Sequence, residues 1–96
     1  MPSIEELESR AFALSQQGDI EAIVQVCQDM LAIDENHLSS RRFLADIALQ
    51  SGDFAAAASH LETLRAHSPG DLQVLSQLGQ ALYRQGKLEQ ALSVYT

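Results

Sequence analysis

Glycine returns along this chain at a fixed interval of 34 residues, at Gly18, Gly52 and Gly86. Its neighbours return with it: Gln17-Gly18-Asp19-Ile20, Ser51-Gly52-Asp53-Phe54 and Gln85-Gly86-Lys87-Leu88 each set a polar and then an apolar residue after the glycine. A period of that length marks an array of stacked units, none of which can bury its apolar face alone. The register divides a single domain, 1–96, into units 4–37, 38–71 and 72–96, the last incomplete.

Within a unit the glycine separates two amphipathic helices, because it accepts the positive φ that a tight helix C-terminus needs. Ser3 followed by Glu6 reads as a capping box that opens the first helix at Ile4. Leu7, Ala11 and Leu14 then share one face. Asp19 caps the second helix, whose face is Ile20, Ile23, Cys27, Met30 and Leu31. The second unit repeats this with Leu44, Ala45 and Ala48, a cap at Asp53, then Phe54, Ala57, Ala58, Leu61 and Leu64 before a stop at Pro69-Gly70. The third offers Leu75, Leu78, Gly79 and Leu82, then Leu88, Ala91, Leu92 and Tyr95. Both prolines, Pro2 and Pro69, lie outside these helices and no strand-like run occurs, so the class is all-α.

On these residues the chain resembles the tetratricopeptide repeats, helix–turn–helix units with small residues where the paired helices touch. The matching features are Leu78-Gly79 (approximated by Leu44-Ala45), the glycine turns, the small residues Ala57 and Ala91, and Pro69 near the end of a unit. Arg10, Ile23 and Glu35 depart from the pattern in the first unit, and there is no tryptophan. The resemblance implies a right-handed α-solenoid of stacked antiparallel helix pairs. It also implies a protein–protein interaction scaffold whose first helices line a concave groove.

Helical spacing places Glu8, Ser9, Phe12 and Gln16 on that groove face in the first unit, and Arg42, Phe43, Asp46, Leu49 and Gln50 in the second. Gln73, Gln77, Gln80, Tyr83 and Arg84 follow in the third. The expected partner-binding set is Phe12, Arg42, Phe43, Asp46, Leu49, Gln77, Tyr83 and Arg84. Aromatics for buried area beside arginines and amides for directional bonds suit a peptide or helix of another protein. The plainer alternative makes Phe12 and Phe43 partly core, covered by the next unit. The carboxylate clamp that members of the family use for acidic chaperone tails would fall on Glu8, Phe12, Phe43, Gln73 and Gln77. None supplies the lysine, asparagine or arginine of that clamp, and Glu8 would repel a carboxylate.

Net charge is −7 and unevenly spread. Residues 1–37 carry eight acids against Arg10 alone, whereas residues 72–96 carry Glu89 against Arg84 and Lys87. Such a chain repels phosphate backbones, which excludes nucleic acid as a partner. Glu5, Glu6 and Glu8 suit a helix N-terminus, and a basic partner docking at this end is a second reading of the same charge. No apolar run reaches the ~20 residues needed to span a bilayer. The acidic start lacks the regions of a secretory signal, and Cys27 stands alone, so a cytoplasmic protein is expected.

Nothing in the pattern points to catalysis, a cofactor or a metal. His60 and His67 stand seven residues apart on one helix, about 10 Å by helix rise, too far for one ion. His37 falls at a unit boundary, and Cys27 on an inner face reads as a small buried hydrophobe. Glycine-rich phosphate loops, Gly-x-Ser-x-Gly and His-Glu-x-x-His are absent from the sequence. Two alternatives to the scaffold stand: the leading segment of a longer enzyme of transferase or hydroxylase type, and a module that self-associates through its C-terminal repeat edge. Thr96 precedes the close of the third period, so Leu78, Leu82, Leu92 and Tyr95 are expected to be partly uncovered.

Overall fold

The computed structural model describes residues 2–95. Among them are six helices and no strand: α1 Ile4–Gln17, α2 Ile20–Ile33, α3 Leu38–Ser51, α4 Phe54–His67, α5 Leu72–Arg84 and α6 Leu88–Tyr95. Each packs on the next in chain order, giving an elongated body of 43 × 24 × 19 Å, as expected of a helical-repeat solenoid.

The repeated glycine works as the sequence predicts. Gly18, Gly52 and Gly86 adopt φ of 74°, 83° and 78°, and no other described residue has positive φ. At the first turn Gly18 N–H bonds to Ser15 O and Asp19 N–H reaches back to Leu14 O. The same two bonds recur from Gly52 and Asp53, and from Gly86 and Lys87, so all three turns close as Schellman motifs. Asp19 and Asp53 then cap the following helix, accepting from Ala22 N–H and Ala56 N–H at 3.2 Å. Lys87 holds the equivalent place before α6 and has no acceptor to offer. Lys87→Asp is therefore expected to raise stability by about 1 kcal/mol through the missing cap, read as a higher denaturation midpoint at unchanged slope.

Two apolar clusters hold the stack. Leu7, Ala11, Ile23, Val26, Cys27, Met30 and Leu44 form one; Ala45, Ala48, Ala57, Ala58, Leu61, Leu64, Val74, Leu78, Ala81, Leu82, Ala91 and Val94 form the other. They meet at α3, which sends Leu44 one way and Ala45 and Ala48 the other. Gly79 lies under the Tyr95 ring, which a Cβ at this position would overlap, and the Tyr95 hydroxyl donates to Ser76 O at 3.1 Å. A glycine in mid-helix, costly in itself, is what allows that ring so close.

Four expectations change. Ile20, placed on the inner face of α2, is 51% exposed, because at the first helical position it precedes the stretch that α1 and α3 cover; Val26 is buried instead. Leu78 and Leu82, expected to be uncovered, are buried because α6 lays Ala91 and Val94 over them. Leu88, assigned to the inner face of α6, is exposed, as no described helix lies beyond it; Leu92 and Tyr95 are exposed as well, as expected of this edge. Phe12, read alternatively as partly core, is 66% exposed, since α3 passes it without covering the ring.

Candidate functional site

Charged and polar side chains tie α1, α3 and α5 along one face. Arg42 on α3 pairs with Asp71, the N-cap of α5, at 2.6 Å. Gln77 on α5 donates to Asp46 on α3 at 3.4 Å. Glu8 on α1 faces Nε2 of His37, the N-cap of α3, at 3.5 Å. Glu8 and Arg42 occupy the same place in successive 34-residue periods, and so do His37 and Asp71. One link thus recurs at both junctions with its polarity reversed: acid to histidine cap, then base to aspartate cap.

His37 does more than mark a boundary. Its Nδ1 accepts from Ser40 N–H at 3.3 Å and lies 2.7 Å from Ser40 Oγ, which satisfies the fully buried serine. An accepting Nδ1 places the ring proton on Nε2, facing Glu8. Cys27 is free and fully buried; burial pushes its thiol up to about 11, against the opposing pull of the Ser40 hydroxyl. It is an inert core thiol.

Against this face lie two adjoining clefts that share Ser39 and Phe43. The first, of about 200 Å³, is lined by Glu8, Ala11, Phe12, Met30, His37, Ser39 and Phe43. The second, of about 260 Å³, is lined by Ser39, Arg42, Phe43 and Asp46. Phe43, 36% exposed, forms the wall between them. Of the expected partner-binding residues, this gathers Phe12, Arg42, Phe43 and Asp46, with Gln77 joined through its bond to Asp46. Leu49 instead is half-buried against the larger core cluster, and Arg84 stacks over the Phe54 ring at 5.4 Å from its centre. Tyr83 lies apart, in a cleft of about 490 Å³ at the C-terminal edge with Gly79, Gln80, Leu88, Ala91, Leu92 and Tyr95. Sequence reasoning left out Met30, His37, Ser39 and Asp71; only the 34-residue offset between 8 and 42, and between 37 and 71, carried a signal for the last two caps.

Two titrations follow from this geometry. Burial, and then the Arg41 guanidinium 3.2 Å away at Nδ1, hold His60 below the ordinary 6.5. The unfolded chain therefore takes up the proton first, and stability contributed by neutral His60 is lost as pH falls from 6.5 towards the lower native value. The Arg42 hydrogen bond, followed by the Val74 amide, holds the Asp71 carboxyl below its usual 3.8. Its contribution is complete above that value and disappears as pH falls through the lowered one. Denaturation midpoints against pH are expected to show both limbs, and His60→Gln to remove the upper one alone.

Among the described residues no three His, Cys, Asp or Glu side chains gather where a metal could sit, and no helix is long and apolar enough to cross a membrane. Residues 48–95, half of the chain, match the family model described as Tetratricopeptide repeat. No curated protein matches the chain. A solved structure described as the MamA RS-1 ArsTM double mutant superposes with a TM-score of 0.84 at 25% sequence identity, over 96% of this chain and 52% of that one. The chain thus spans about half the length of that structure. With glycine turns, helix pairs and family model in agreement, the chain belongs to the tetratricopeptide repeat family.

Proposed function

We propose that this chain is a protein-interaction scaffold that takes a peptide or helix of another protein against the face of α1, α3 and α5. The observation that carries this reading is the placement of Phe12 and Phe43, exposed aromatics on neighbouring helices either side of one cleft. Aromatic side chains standing on helices have few torsions to order on a backbone already fixed, which suits them as anchors. A photo-crosslinking residue at position 12 or 43 is expected to capture a discrete partner, and one at exposed Gln28 or Glu62 on the second helices is not. Equal capture from all four positions would remove the reading.

A second reading rests on a separate observation, the 490 Å³ cleft beside Leu88, Leu92 and Tyr95. These residues leave an apolar face on which a second copy could seat. Light scattering over a concentration series decides it: a dimer abolished by Leu92→Lys supports self-association, and a monomer at all concentrations removes it.

A further inference from the structure

We propose that the groove is matched to a cationic protein segment bearing one large apolar side chain, the apolar group entering the cleft between Phe12 and Phe43 and its Lys or Arg neighbours facing Glu8 and Asp46. This rests on the groove reading above and assigns its ligand a chemistry.

The cleft sets the anchor. Its volume of about 200 Å³ equals that of about seven waters in the liquid, the space of one long aliphatic or aromatic side chain. Ala11, Phe12, Met30 and Phe43 supply apolar walls. A single side chain placed there exchanges solvent for apolar contact on several sides, the setting in which one residue dominates an interface.

The charges set the flanks. Arg42 is the one cation lining the two clefts, and Asp71 already neutralises it at 2.6 Å. Arg41, its neighbour on α3, turns away to His60 and to Glu35 O, at 3.2 and 3.0 Å. Glu8 faces an imidazole nitrogen that carries a proton without needing a positive charge, and Asp46 accepts a long bond from an uncharged amide. Both carboxylates therefore present net negative charge to the groove. Seven further acids in residues 1–37, against Arg10 alone, give the first unit the same sign. An acidic segment would have to break the Arg42–Asp71 pair to find a cation, whereas a basic one meets carboxylates held only by an imidazole and an amide. Charge selection at this face is thus the reverse of a carboxylate-binding groove.

Selection of a displayed random-peptide library against the full chain tests this. Enriched peptides are expected to carry net positive charge around a Leu, Ile, Phe or Met. Synthesised, they should shift the amide resonances of Ala11, Phe12, Ser39 and Phe43, and bind about tenfold or more weakly to the Glu8→Lys, Asp46→Lys double variant. A fresh selection on that variant, its helicity and melting temperature first checked, should enrich acidic peptides, a gain that misfolding cannot produce. Neutral or acidic peptides enriched on the unmodified chain, shifting those same amides, would overturn the charge assignment and leave the groove reading intact. Peptides whose shifts centre on Leu88 and Leu92, or a library with no enrichment, would overturn both.

Discussion

Leu78→Ala is expected to lower the unfolding free energy by about 2–5 kcal/mol, a large part of the ~5–15 kcal/mol that a domain of this size commands. Leu78 is fully buried on α5, among Ala57 and Leu61 of α4 and Ala91 and Val94 of α6. Truncation removes its transfer energy and leaves a cavity between three helices. Leu92→Ala supplies the control: the same chemistry on the next helix, at a position 67% exposed, should change stability by no more than about 0.5 kcal/mol. Urea denaturation of both, at equal slopes, measures the contrast. A cost at Leu92 rivalling that at Leu78 would mean that the edge of α6 is covered in solution, and self-association would gain.

Met30→Ala should match it in size and differ in reach. Met30 is fully buried in the smaller cluster, with Leu7, Ile23, Val26 and Leu44, and about 2–5 kcal/mol is again expected. The smaller cluster is joined to the larger through α3, and stability in stacked arrays is a sum of unit terms and nearest-neighbour interfaces. Native-state hydrogen exchange should therefore show amides of α1 and α2 losing about thirtyfold or more in protection, the equivalent of roughly 2 kcal/mol. Amides of α4 to α6 should change far less. Uniform loss along the chain would mean that the two clusters melt as one.

What the sequence makes legible is what local physics decides. A positive φ needs glycine, a helix start needs an acceptor, and so Gly18, Gly52, Ser3, Asp19 and Asp53 announce their turns and caps directly. Burial on the helices between them is legible only where a neighbour's position can be assumed. Helical spacing favours Ile20 and Leu92 as well as Ile23 and Leu82, and only the stack decides which of them another helix reaches. The groove face is readable from the same spacing, which brings Phe12, Arg42, Phe43 and Asp46 to adjoining clefts. Arg84 is the counterexample, because the nearby Phe54 ring draws its guanidinium away. His37 reads poorly for a different reason: histidine is an uncommon N-cap, and its value here comes from Ser40 and Glu8 meeting its two nitrogens from opposite sides.

The doubly used aspartates have a mechanical consequence. Since Asp19 and Asp53 each end one helix and begin the next, no slack exists inside a helix pair, and the angle between its members is fixed by a single glycine. Compliance must then collect at the junctions 34–37 and 68–71, four-residue turns closed by His37 N–H to Asp34 O and by Asp71 N–H to Ser68 O. Those are the places that Glu8–His37 and Arg42–Asp71 straddle. Any change in the spacing of α1, α3 and α5 must therefore lengthen or break one of these two pairs.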